Sequence, residues 1–208
     1  MKIKLHYSLL GVLLLFIFSG LYIEILLFFI VIILHECGHI VSLKIFKQKI
    51  NTFNITIVGG ILDVEYKDLN ILKEMIVSLS GVAVNGVILI IVRYLDNVYY
   101  QDILINYNLL LIVFNLLPIY PLDGYRFFEA LFKVKNDPFK EQKVLNYISI
   151  ITLIITFCLS IYYFKSISIV IVFSFLGYHN IILQMKYTQF VLKKYVRRYN
   201  YKRFNQII

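Results

Sequence analysis

His35 and His39 stand four residues apart, with Glu36 between them, in the stretch "HECGH". On a helix this spacing puts both imidazoles on one face, close enough to grip a single ion. His-Glu-x-x-His is a zinc-ligand spacing: two nitrogen ligands, with the intervening Glu beside the metal as general base. The chemistry such a group performs is metal-assisted hydrolysis. The competing reading is a chance match, with the histidines packed in a polar bundle interior. With 4 His in 208 residues, a chance match has odds of roughly a few per thousand.

Two histidines do not complete a catalytic zinc site, which takes three protein ligands and leaves a place for water. Asp123, in "NLLPIYPLDGYR", is the candidate for the third. Pro118 and Pro121 break a helix there, and Gly124 lets the backbone turn. The carboxylate can thus be aimed back into the protein. A plain turn or helix-end role is the competing reading for Asp123.

The elements that carry these residues are apolar. From Leu21 to Leu43 the chain reads "LYIEILLFFIVIILHECGHIVSL". An ionisable residue at membrane depth costs about 2.5–3.5 kcal/mol on insertion scales. A bound metal, which lets the polar groups satisfy one another, offsets that cost. The whole chain is 60% hydrophobic and 16% charged, with mean hydropathy +0.79. This composition excludes a soluble globular domain and predicts an all-α polytopic membrane protein.

Runs long enough to cross a bilayer predict about six transmembrane helices, near residues 5–20, 22–43, 73–92, 103–118, 144–164 and 166–185. No small-residue cleavage site marks the first run as a leader, so it is read as a span. Of the 21 Lys and Arg residues, all but Arg93 and Lys165 fall on one side of this plan. That side is predicted to be cytoplasmic, with both termini on it. The net charge of +9 is therefore read as topology, and no nucleic-acid partner is expected. Cys37 and Cys158 lie in apolar runs and are expected as reduced, buried thiols.

Between spans two and three, "INTFNITIVGGILDVEY" alternates β-branched residues and carries the Gly59-Gly60 pair. It reads as a short strand or hairpin that dips into the membrane against protein. Residues 1–185 are expected as one core. Residues 186–208 are basic and aromatic, and are expected to lie as a cytosolic tail on the anionic inner leaflet.

"HECGH" followed by "NLLPIYPLDG" resembles the site-2 protease family of intramembrane zinc metalloproteases, most closely the stage IV sporulation protein FB group. "KLH", "GGILDVEY" and "LSGVAVNGV" extend the resemblance over nearly the whole chain. The resemblance implies one zinc ion held by His35, His39 and Asp123, with Glu36 as base. It places Asn115 near the active site, and it makes Gly59 and Gly60 part of an edge strand that receives extended substrate. The substrate it implies is a membrane-tethered sigma-factor precursor, in a bacterial cell or forespore membrane. Two positions depart from the family pattern. Gly81-Val82 stands where the family has Gly-Pro, with Asn85 retained, and Tyr125 stands where it has Gly, a bulk expected to narrow the site.

The expected function is hydrolysis of a peptide bond in a membrane-tethered protein, near the cytosolic face. The expected partners are that substrate, the bilayer and regulatory membrane proteins. Two alternatives use the same polar residues: a metal-ion transporter with His35, Glu36 and His39 lining its path, and a non-catalytic membrane scaffold. His179 and Asn85 are read as polar contacts between helices.

Overall fold

The computed structural model describes residues 2–5, 22–56, 59–65, 70–95, 99–132, 138–164, 167–189, 191, 192 and 196. The chain divides into two compact units, Met1–Asn115 and Leu116–Ile208, and each is taken in turn.

The first unit holds β1 (Lys2–Leu5), α1 (Tyr22–Ile45), β2 (Lys49–Thr56), β3 (Gly59–Glu65), α2 (Ile71–Tyr94) and nearly all of α3 (Gln101–Leu116). Glu24 in the first turn of α1 and Lys44 in the last complement the helix dipole. The helix stops abruptly. Gln48 donates its N–H to the Leu43 carbonyl at 2.9 Å, and Lys47 donates to Lys44 at 2.9 Å. Lys47 adopts φ 54°, a left-handed turn that satisfies the last carbonyls and releases the chain into β2.

The three strands form one sheet in the order β1-β2-β3. β2 and β3 run antiparallel, with Ile55 opposite Gly60 and Thr56 opposite Gly59. Both segments are extended, and residues 57, 58 and 66 of the predicted strand or hairpin lie outside the described residues. β1 pairs with β2 in parallel. This is a departure from the predicted first span: Leu5 belongs to a strand, and the remainder of that span, residues 6–20, lies outside the described residues.

α1 packs along α2. Their buried faces carry His35, Glu36, Gly38, His39 and Ser42 on α1, and Ser78, Gly81 and Asn85 on α2. The outward faces carry Ile30, Ile33, Leu34, Val41, Ile76, Val87, Ile90 and Ile91. A water-soluble helix pair would be arranged the other way round. A polar interior and an apolar exterior suit helices whose solvent is lipid. Both cysteines are free and exposed, which corrects the expectation of buried thiols: on such helices an apolar side chain is at home on the outside.

The second unit holds α4 (Asp123–Phe132), α5 (Pro138–Phe164) and α6 (Ile167–Met185). α5 opens on Pro138, whose fixed φ and missing N–H suit a first helical position. It therefore starts earlier than the predicted residue 144. α4 packs on α5, and α5 on α6. Tyr125, Leu145 and Leu183 form the centre of this core, with Tyr120, Phe128 and Phe132 around them.

Among the described residues, three helices are long and apolar enough to cross a membrane: Tyr22–Ile45, Ile71–Tyr94 and Phe139–Tyr163. Gln101–Leu116 and Val170–Met185 are shorter apolar helices. The predicted fourth span, 103–118, ends at Leu116, where Pro118 forbids continuation. Asp123 does not close that helix; it opens α4.

Candidate metal centre

His35 and His39 fall on the inner face of α1 because they are one turn apart, and each ring is held from α2. His35 Nδ1 lies 3.0 Å from Asn85 Oδ1. His39 Nδ1 lies 2.8 Å from the Val77 carbonyl oxygen and 3.2 Å from Ser80 Oγ. A carbonyl oxygen only accepts, so each Nδ1 carries the ring proton and each Nε2 presents a lone pair. The two Nε2 atoms stand 3.2 Å apart. Lone pairs facing each other at that distance repel, and a shared cation turns the repulsion into coordination. Orienting a ligand imidazole by a hydrogen bond to its far nitrogen is the usual arrangement around a protein-bound metal.

Space for the pair is made by Gly81. A Cβ there would sit 2.5 Å from His39 Nε2 and 2.6 Å from His35 Nε2. The glycine leaves the point where the two nitrogens converge open on the α2 side. Gly38 has a different task. Its Cβ would sit 2.5 Å from the Ser80 carbonyl oxygen, so glycine sets how closely α1 approaches α2.

His35 and His39 in the first unit and Asp123 in the second are each buried, and by residue type all three are possible metal ligands. Two neutral imidazoles and one carboxylate are a donor set suited to zinc. Glu36 is buried as well, on the turn that carries both histidines. These residues fit the metal read from the sequence.

Asp123 is the first residue of α4, where a negative charge favours the helix. The segment before it is held closely. Gly124 admits the carbonyl oxygens of Leu116 and Leu117 to within 2.4 Å of where a Cβ would stand. Tyr125 does not project as the bulky obstruction expected. Its ring joins Leu145 and Leu183 in the core, and its hydroxyl donates to Asn146 Oδ1 at 3.0 Å. Burial, reinforced by Glu129, pushes this phenol well above the ordinary tyrosine range, so it stays a neutral donor.

The other expected residues make contacts of their own. Asn115, on α3, donates its Nδ2 to the Leu111 carbonyl of its own helix at 3.1 Å. Gly59 and Gly60 open β3. His179 lies against Phe175 with ring centroids 4.2 Å apart, and its Nδ1 donates to the Phe175 carbonyl at 3.0 Å. It is a helix-surface contact. Asn85, expected as an inter-helix contact, is the partner of a candidate ligand. Ser149 and Asn180 carried no signal in the sequence at all, since a lone Ser or Asn in an apolar helix has no spacing to read.

A model of Peptidase family M50 matches residues 95–157. A curated relative, Zinc metalloprotease MJ0392 of Methanocaldococcus jannaschii, is 29% identical over 129 residues. The match covers 57% of this chain and 37% of that protein, so the chain spans little more than a third of the relative's length. A solved structure, the Site-2 Protease from Methanocaldococcus jannaschii, superposes with a TM-score of 0.67 at 24% identity, over 86% of this chain and 88% of that one. The structural likeness shows a shared fold. The chain is thus similar to peptidase M50 proteins over part of its length and shares the fold of a site-2 protease.

Proposed function

We propose that this chain is an intramembrane zinc metalloendopeptidase that cuts a membrane-tethered protein near the cytosolic face. The observation that carries this reading is the pair of histidine Nε2 atoms 3.2 Å apart on the helix turn that also carries Glu36. When bound, zinc would supply Lewis acidity, polarising a carbonyl and lowering the pKa of water to about 7. His35, His39 and Asp123 would hold the ion. Glu36 accepts a proton from the attacking water and delivers it to the leaving amine as the peptide C–N bond breaks.

A substrate helix hides its peptide bonds in its own hydrogen bonds, so it must unwind before hydrolysis. β3 is an edge strand among the described residues, because the sheet order is β1-β2-β3. Gly59 and Gly60 use one side of their backbone on β2. In this reading the other side pairs with the unwound segment by strand addition. Asn115 orients the substrate backbone; its bond to Leu111 uses one amide hydrogen and leaves the group's further capacity for a peptide.

The charge pattern puts both termini and the segments 44–73 and 119–143 in the cytoplasm, so water and substrate enter from that side. The resemblance to the stage IV sporulation protein FB group makes a sporulation sigma-factor precursor the first substrate to test. Full-length protein co-expressed with such precursors should release a product whose new N-terminus, mapped by mass spectrometry, lies near the cytosolic end of the tether. Glu36→Gln should lower cleavage by at least about 100-fold with zinc still bound. Cleavage by Glu36→Gln near the wild-type rate would falsify the general-base role. Zinc uptake into vesicles by a chain that cleaves nothing would establish the transporter reading instead.

A further inference from the structure

We propose that Ser149 and Asn180 are positioning residues for Asp123, acting through the backbone of Tyr120. This rests on Asp123 being the third zinc ligand. The segment 117–122 that delivers Asp123 contains Pro118 and Pro121, which have no N–H, so it has few backbone donors with which to hold a shape. Ile119 and Leu122 make short local bonds, to Leu117 and Ile119, at 2.8 Å each. Tyr120 is held from outside the segment on both of its polar groups. Its N–H donates to Ser149 Oγ at 3.0 Å, and its carbonyl accepts from Asn180 Nδ2 at 2.8 Å.

The two side chains are themselves joined. Ser149 Oγ donates to Asn180 Oδ1 at 2.6 Å, which closes a ring: Tyr120 N–H to hydroxyl, hydroxyl to amide oxygen, amide N–H back to Tyr120 C=O. Each donor has one direction to point. The second amide hydrogen of Asn180 goes to the Leu176 carbonyl at 2.9 Å, so rotating the amide would break every one of these bonds. Ser149 is 0% exposed and Asn180 5% exposed, so no water competes for the groups. Ser149 lies on α5 and Asn180 on α6. The ring thus ties the segment to the two long helices of the second unit.

A second tie follows Asp123. Tyr125 donates to Asn146 Oδ1 at 3.0 Å; Gln142 Nε2 donates to Asn146 Oδ1 at 2.9 Å and to the Tyr125 hydroxyl. Asp123 therefore sits between two anchored points, Tyr120 and Tyr125. Anchors outside the ligand set that fix a ligand's direction are typically worth about 10–100-fold in metal affinity.

The test uses the full chain in detergent or nanodiscs, with zinc affinity read by competition against a chelator. Ser149→Ala and Asn180→Asp should each weaken zinc about tenfold or more, because Asp cannot donate to Tyr120. Ser149→Thr, which keeps the hydroxyl, should restore affinity to within about threefold of wild type. In an Asp123→Ala background the same substitutions should change the affinity of the remaining pair by less than about twofold, since there is no carboxylate left to position. Unchanged affinity in Ser149→Ala and Asn180→Asp overturns the proposal. A loss of equal size in the Asp123→Ala background overturns it too, since that is the mark of a general structural role. Absence of zinc from the wild type would instead defeat the metal reading on which the proposal stands.

Discussion

At the scale of single residues, the candidate centre is made by groups that ligate nothing. Asn85 is 0% exposed, and among the described residues its Nδ2 has no partner. A buried amide with an idle donor is a cost, and its return is the fixed tautomer of His35. Asn85→Leu should release that ring and weaken zinc about 10–100-fold, read by chelator competition. A variant that binds zinc as tightly as wild type would show that His35 keeps its orientation without help. Asp123→Ala should remove a ligand and lower both zinc content and cleavage, and stoichiometric, equally tight zinc in that variant would place the third ligand elsewhere. Gly81→Ala puts a methyl group within 2.5–2.7 Å of both rings. It should displace the imidazoles and abolish stoichiometric zinc binding even though no charge or hydrogen bond is altered.

At the scale of elements, the glycines of α1 and α2 separate those required by contact from those that are not. Gly38 faces the Ser80 carbonyl and the Val84 side chain. Gly38→Val should push the helices apart and destabilise the protein by about 1–3 kcal/mol, seen as a lower unfolding temperature in detergent. Gly86, on the same helix as Ser80, has nothing within 4 Å of an added Cβ. Gly86→Ala should be neutral or stabilise by up to about 1 kcal/mol. Equal effects of the two substitutions would mean that helix propensity, and not the crossing of α1 on α2, controls stability here.

At the scale of the whole molecule, the proposed topology puts the basic residues on the cytoplasmic side of the predicted spans. A single cysteine in place of Lys135, in a background lacking Cys37 and Cys158, should resist a membrane-impermeant thiol reagent in intact cells and react in permeabilised ones. Ready labelling in intact cells would invert the topology. Substrate unwinding belongs to the same scale. Gly or Pro next to the cleavage site should speed the reaction, and Leu or Ala should slow it, because opening the local helix is part of the barrier. Cleavage rates indifferent to these changes, measured on purified protein with a set of precursor variants, would remove unwinding from the mechanism.

The sequence by itself supplied an apolar composition, a candidate ligand spacing and most of the helices. Sixty per cent hydrophobic residues cannot be placed in water, and His35, Glu36 and His39 carry their meaning in their spacing, which a helix preserves whatever it packs against. The alternation around Gly59-Gly60 is likewise local, and the chain there is extended. The strand at Lys2–Leu5 is not legible in the sequence because its partner lies about fifty residues on; a four-residue segment has no pattern of its own to read. The apolar run ending near Pro118 concealed a second helix, because Asp123 reads equally well as an end or a beginning until the fold shows which. Only the tertiary structure decided what holds the site. Asn85 meets His35 across 50 residues, Gly81 earns its place by the rings above it, and Asn180 reaches Tyr120 across 60. Such contacts depend on two helices being side by side at one depth. Spacing along the chain records what a single helix does to its own residues, and is silent on which neighbour supplies the missing hydrogen bond.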